Sequence, residues 1–311
     1  MTTTESPPAT SVRPPSARKR GVKPWNQRLA PYLFVLPNML VFGVFIIYPA
    51  LNGFNISLYN SNNGRAFTPV GTKNYRRLFT DEEFWQAAGA TVIFVVAFVA
   101  VCTAASIGLA MLLTKPIRAR GFFRAVFFLP VLLSPVVVGL LWSWILERRS
   151  GALNAILGAV GLPEPGWLVS GPLALGATVF VGVWAHAGFY TLIMMAGLQA
   201  IDSSYYEAAH LDGAGAWHRF RHITWPLLRP TTLVVVILAM IAGFQSFDFI
   251  YTLSGGGPLG ATTLMVQYIY EHAFQSPIQY GLAAAGSVVL FCTIFALTVL
   301  NFLYGRRKES M

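Results

Sequence analysis

Six long apolar stretches constrain this chain more than any other feature. They run near Tyr32–Ile56, Ala87–Leu113, Val126–Leu146, Leu173–Leu198, Thr232–Leu253 and Gly281–Tyr304. A helix of about 20 residues crosses a hydrocarbon core, so each stretch is long enough to span. Charge agrees: 11 % of residues are charged and 55 % are hydrophobic, whereas a soluble domain carries about a quarter charged residues. With 311 residues the chain is long enough for a soluble core, so its low charge has another cause. The first stretch is long and has no small-x-small site at its end, which argues against a cleaved signal peptide. Cys102 and Cys292 lie inside apolar runs without CxxC or CxxH spacing and read as packing residues, with neither a metal nor a disulfide role.

Basic residues give the orientation. Arg13, Arg18, Lys19, Arg20, Lys23 and Arg28 precede the first stretch, and Lys115, Arg118, Arg120 and Arg124 lie between the second and third. Arg219, Arg221 and Arg229 lie between the fourth and fifth, and Arg306, Arg307 and Lys308 follow the sixth. That places sixteen on one side against six on the other, namely Arg65, Lys73, Arg76, Arg77, Arg148 and Arg149. The excess marks the cytoplasmic side, with both termini inside. A net charge of +10 is then a topology signal rather than a nucleic-acid footprint. Residues 1–24, rich in Pro, Ser and Thr, have little apolar surface to bury and read as disordered.

One polar island, Tyr205 to Pro230, interrupts the apolar pattern. Asp202, Ser203 and Ser204 are candidate N-caps, with Glu207 expected in the first helical turn, where a carboxylate favours the dipole. Gly213 and Gly215 are expected to stop this helix with positive φ. Ala216 to Thr224 can form a second short helix halted by Pro226. On physical grounds alone, this hairpin could equally lie on lipid headgroups, held by Arg219 and Arg221.

The spacing Glu207-Ala208-Ala209, Gly213, Ile223, Pro226 resembles the EAA loop of bacterial ABC importer permeases. In that family the loop is the coupling helix that docks into a groove on the cytoplasmic ATPase. The resemblance implies a coupling role for Glu207, Ala208, Ala209, Asp212, Gly213, Ile223 and Pro226. Asp202 stands where relatives often have proline, and Trp225 where leucine usually precedes the proline. Three further segments resemble the carbohydrate-type permeases of the maltose and glycerol-phosphate group. They are Gly71 to Leu78 followed by Phe84-Trp85, Gly121-Phe122-Phe123-Arg124 with Leu129-Pro130, and Phe247 to Tyr251 leading into Gly256-Gly257-Pro258.

Inside the apolar stretches an ionisable group costs roughly 2.5–3.5 kcal/mol on insertion scales, so it should face a cavity or a partner. His186 in the fourth stretch and Asp248 toward the outer end of the fifth qualify. Gly182, His186 and Phe189 share a face of the fourth stretch, and Ala239, Ala242, Gly243 and Ser246 form a small-residue stripe on the fifth. Together they suit a passage for a hydroxylated solute, and equally suit helix–helix packing. Asp248 is expected at an outer gate or against a partner's basic group. The chain has no GxxxxGK[ST] phosphate loop, no HExxH and no serine elbow. A membrane enzyme using His186 and Asp248 is the alternative of another class. A secondary carrier is a further rival, but the sequence shows neither inverted repeats nor the broken mid-span helices such carriers use.

The expected fold is an all-α integral membrane protein of six transmembrane helices, with a coupling helix between the fourth and fifth. Residues 30–305 form the permease domain, with the coupling loop at 202–230, and 1–29 and 306–311 form basic cytoplasmic tails. The resemblance implies a second homologous permease, two ATPase subunits that use ATP and Mg, an external solute-binding protein and a sugar-like solute, in a bacterial cytoplasmic membrane. No cofactor, metal or nucleic acid is expected in this chain itself. An ABC permease for a non-carbohydrate solute remains the nearer alternative.

Overall fold

A computed structural model describes residues 25–115 and 120–309. The N-terminal residues 1–24, with their expected disorder and basic cluster, and Arg118 lie outside the described residues. The chain divides into two compact units, residues 1–51 and 52–311.

In the first unit, α1 (Trp25–Phe42) passes through a π turn at Gly43–Ile47 into α2 (Tyr48–Ile56), which ends in the second unit. Together they supply an apolar helix over Pro31–Ile56.

The second unit is built around α4 (Glu82–Thr114), preceded by the short α3 (Lys73–Thr80). A small antiparallel pair, β1 (Tyr59–Asn60) and β2 (Thr68–Pro69), leads into α3. Asp81 caps α4 by accepting from the Glu83 N–H at 3.0 Å, and Glu82 and Glu83 complement the dipole of its first turn. Beyond the short α7 (Ala152–Ala159), α8 (Gly171–Gln199) packs along α4, with the helix α11 (Trp225–Phe244) beside both. Phe94, Phe98 and Cys102 of α4 are fully enclosed with Val181 and Met194 of α8 and Val235 and Ala239 of α11. In lipid such packing gains little from leaving water, because acyl tails are as apolar as Phe, so close fit supplies the cohesion. A second cluster joins Leu78, Phe84 and Ala87 to Met265 and Tyr268 of α13 (Met265–Phe274) and Leu282 and Ala285 of α14 (Tyr280–Glu309).

Two expected elements need correction. The third apolar stretch is a bent pair: Gly121–Leu132, containing α5 (Arg120–Phe128), and Pro135–Ile145 (α6) meet at 104°. Pro130 and Pro135 lack amide hydrogens, and Leu133 and pre-proline Ser134 both lie in extended backbone (ψ 143° and 135°), which breaks the helix between them. The chain therefore does contain a broken helix. The described residues give five helices long and apolar enough to cross a membrane, or six with the bent pair counted as one span.

The second correction concerns the fifth stretch, which stops at Phe244 rather than Leu253. A break at residues 245–247 leads to α12 (Asp248–Ser254), so Asp248 occupies the first turn of a separate helix. α12 packs against α6, where a Cβ at Gly139 would overlap Thr252 Oγ1 and Phe249 O. At the C-terminal end, α14 continues helically through Arg306, Arg307 and Lys308.

Two internal contacts give the ends of the bundle. Phe98 of α4 meets Gly182 of α8, and farther along both helices the Ser106 hydroxyl donates to Ala187 O at 3.5 Å. α4 and α8 therefore run parallel, and Thr114 and Gln199 share one end. Glu82 lies at the other end, with α13 close by, since the Met265 N–H donates to Thr91 Oγ1 at 2.9 Å.

Candidate functional site

The polar island folds as a helical hairpin at the Thr114 end. In α9 (Ser203–Leu211), Asp202 is the N-cap, accepting from the Ser204 N–H at 2.9 Å. That backbone hydrogen bond, helped by the Ser204 side chain, holds the Asp202 carboxyl below its ordinary range. Glu207 falls in the second turn, not the first, because the helix starts at Ser203. Gly213 closes α9 at φ +75°, with the Ala214 N–H reaching Ala209 O at 2.9 Å. This is a Schellman-type stop, and it needs a residue that tolerates the left-handed region. Gly215 differs from the expectation: its φ is −68°, and it caps α10 (Ala216–Arg219).

The second arm is not halted at Pro226. A π turn over Phe220–Thr224 joins α10 to α11, with the Trp225 N–H bonding back to Phe220 O, and the helix runs from Ala216 to Phe244. The wider turn relieves the clash a proline ring makes with an ordinary α-helical turn. A hydrogen bond of 3.0 Å between Tyr206 Oη and Thr224 Oγ1 ties the two arms together.

The structure thus brings Glu207, Ala208, Ala209, Asp212 and Gly213 together on the first arm and its turn. Ile223 and Pro226 are half-buried on the second arm. The spacing did not reveal the apolar dress of this hairpin. Leu211 is 87 % and Trp217 73 % exposed, one on each side of Gly213. Their only sequence signal is two large apolar residues within a polar segment.

The other candidates separate by burial. Gly182, Ala239 and Gly243 sit in the packed interior. A Cβ at Gly182 would lie 3.3 Å from Phe249 Cζ, and one at Gly243 would lie 3.3 Å from both Phe98 and Val95. These glycines set the approach of α8 and α11 to α4. His186 is half-buried, its Nδ1 2.9 Å from Gly182 O and its ring edge-on to Phe98 at 5.5 Å. Phe189 is 44 % exposed. Ala242 and Ser246 are half-buried, and Ser246 donates to Ala242 O at 2.9 Å. Asp248 is exposed, and no hydrogen bond or ion pair among the described residues joins it to His186.

Residues 103–309 match the family described as "Binding-protein-dependent transport system inner membrane component". This chain belongs to that family. The match covers the bent pair, the hairpin and the last three long helices, so the chain is a multi-pass inner-membrane component of a binding-protein-dependent transport system. It is 35 % identical over 280 residues to the trehalose/maltose transport system permease protein MalF of Thermococcus litoralis, covering 90 % of this chain and 94 % of that one. It is also 35 % identical over 283 residues to the lactose transport system permease protein LacF of Rhizobium radiobacter, covering 89 % and 94 %. The sn-glycerol-3-phosphate transport system permease protein UgpA of Agrobacterium fabrum is 33 % identical over 288 residues, covering 90 % and 96 %. Among solved structures, a bacterial ABC transporter involved in the import of the acidic polysaccharide alginate shares the fold. Its TM-score is 0.79 at 22 % identity, over 91 % of this chain and 97 % of that one. A bacterial alginate ABC transporter in complex with alginate pentasaccharide-bound periplasmic protein also matches, with a TM-score of 0.79 at 22 % identity.

Proposed function

We propose that this chain is the permease subunit of an ATP-driven importer that passes a sugar or sugar-like solute across the membrane. It works with a second homologous permease, two cytoplasmic ATPase subunits that use ATP and Mg, and an external solute-binding protein. The relatives named for trehalose/maltose, lactose and glycerol-phosphate transport support the solute class. The observation that carries the coupling role is the hairpin, closed by Gly213 at φ +75° and presenting Leu211 and Trp217 bare. Exposed apolar anchors of this size beside a rigid turn suit burial in a partner's groove.

In this reading both termini and the hairpin are cytoplasmic, in keeping with the excess of basic residues on that side. Closure of the ATPase pair on ATP moves the docked hairpin, and the continuous helix from Ala216 to Phe244 carries that movement into the bundle. The bundle then opens outward to receive solute from the binding protein, and ATP hydrolysis resets it. Phe189, His186, Ala242 and Ser246 are the pathway candidates, since they remain at least partly uncovered. Gly182, Ala239 and Gly243 support that surface from behind by keeping the helices close.

Reconstitution with the partner subunits tests this reading. Gly213→Pro and Glu207→Arg should abolish solute uptake and weaken retention of the ATPase subunits while the chain still inserts. Normal uptake by both variants would overturn it.

A further inference from the structure

At the end of the bundle opposite the hairpin, a cavity of about 350 Å³ lies between α6, α7 and the first turns of α8. Trp142 and Leu146 from the end of α6, Leu153 of α7, Trp167 of the loop that follows, and Leu173 and Phe180 of α8 form its walls. One side is open, since Leu173 is 40 % and Phe180 54 % exposed. A buried asparagine builds this shape. Asn154 donates to Arg148 O and Pro165 O, both at 3.0 Å, and accepts from the Trp167 indole N–H at 2.8 Å. The loop is thereby folded back, with Trp167 standing in the cavity wall.

The walls are apolar throughout. Their only polar side-chain groups are two indole N–H groups, of which that of Trp167 is spent on Asn154 and that of Trp142 is buried. A hydroxylated solute would give up its hydrogen bonds to water here and receive none. The surroundings are apolar as well: on α7 and the loop behind it, Ile156, Val160, Leu162 and Val169 are each more than half exposed. Bare aliphatic residues in such number suit acyl chains rather than water. Only the mouth carries charge. The Arg148 stem lies beside Gly166, where a Cβ would be 3.5 Å from Arg148 Cδ. Arg148 and Arg149 are exposed, and among the described residues no carboxylate comes within 4.0 Å of either guanidinium. Glu147 is turned onto its own loop, accepting from the Arg149 and Ser150 N–H groups and the Ser150 hydroxyl. Glu164 lies against Gly158, at the C-terminal end of α7.

We infer that this cavity receives one acyl chain of an anionic phospholipid from the leaflet away from the hairpin, with Arg148 and Arg149 meeting its phosphate. An apolar slot with two uncommitted guanidinium groups at its mouth matches an amphiphile of that build. The chain is buried among Trp, Leu and Phe, and the phosphate oxygens accept from planar forks of N–H donors. A transmembrane helix of a partner would cover the apolar walls, but acidic side chains are costly at that depth, so it would leave the arginines unanswered. Seated there, the chain braces α6, the second arm of the bent pair, against α8.

The test uses the assembled transporter in nanodiscs of phosphatidylethanolamine and phosphatidylglycerol, doped with phosphatidylglycerol that carries a diazirine in mid-chain. After photolysis, label at Leu146, Leu173 or Phe180 should saturate as the probe fraction rises, whereas label at Phe295, exposed on α14, should stay proportional to it. Gly176, on the α8 wall, is a position where a Cβ meets nothing within 4 Å. Gly176→Leu should therefore fill the cavity and cut the saturable label about fivefold or more, while the complex elutes as the parent does. Arg148→Gln with Arg149→Gln should weaken capture of the phosphatidylglycerol probe several-fold and leave capture of a phosphatidylcholine probe unchanged. Label that is proportional everywhere, or unchanged in Gly176→Leu, would overturn the inference by showing only the ordinary lipid shell. Absence of label in the cavity would overturn it as well, and a Leu173→Cys cross-link to the second permease would then name the occupant. Protection of the cavity from label by added solute would assign it to the pathway and overturn the inference too.

Discussion

The two ends of the second unit meet their surroundings with opposite chemistry. The hairpin end offers a continuous stretch of chain, stiffened by a cap, a left-handed glycine and one cross-arm hydrogen bond, with Leu211 and Trp217 left bare. The opposite end draws the carboxylates of Asp81, Glu83 and Glu271 together from separate helices and loops, with Tyr268 donating to Asp81. One end can gain by excluding water, the other by neutralising charge. Apolar docking is long-lived and little affected by salt, whereas a charged contact captures quickly and releases as ionic strength rises.

The contrast can be broken most sharply at Gly213. Gly213→Val forces a β-branched residue to φ +75°, where a side chain costs on the order of 1–2 kcal/mol, and it alters the direction of the turn. Uptake into proteoliposomes should fall more than tenfold, with binding-protein affinity unchanged. A parallel loss of that affinity would mean the two ends are not separable. Leu211→Asp with Trp217→Ser should come next, weakening ATPase retention about tenfold in detergent, since buried aromatic and aliphatic anchors dominate such contacts. Equal retention would show that the bare residues serve lipid instead.

Ionic strength sharpens the same comparison with a smaller effect. Raising salt from about 50 to 300 mM should weaken binding-protein affinity several-fold while ATPase retention changes by less than about twofold. Similar sensitivity at both ends would remove the distinction. The smallest change is expected from Tyr206→Phe, which deletes the bond to Thr224 at a cost of about 1 kcal/mol. Amide exchange at Ala214 should then quicken, and uptake should fall only a few-fold.

The hairpin was legible in the sequence because its determinants are neighbours: Asp202, Glu207, Gly213 and Pro226 lie within one short stretch of chain. Even there the details moved. A proline expected to end a helix was absorbed by a π turn, because the preceding residues could widen the turn before it. The acidic end was illegible for the opposite reason. Tyr268 and Asp81 are 187 residues apart, and only tertiary packing shows that they meet. Hydropathy located the apolar stretches but counted Val126–Leu146 as one straight span, since an average over a window does not register what Pro130 and Pro135 do to a backbone. Small residues likewise read the same for a pathway and for packing, and only Phe98 between Gly182 and Gly243 separated the two uses.

The uninterrupted helix from Ala216 to Phe244 has a mechanical consequence. Twenty-nine helical residues make a rod of roughly 43 Å, and its prolines, Pro226 and Pro230, both lie near the hairpin. Give is concentrated at that base, and the remainder acts as a stiff lever arm. A tilt of about 10° at the hairpin would swing the far tip by about 7 Å, comparable to the width of a sugar ring. The break at residues 245–247 ends this rod before α12, which packs against α6 instead of continuing it.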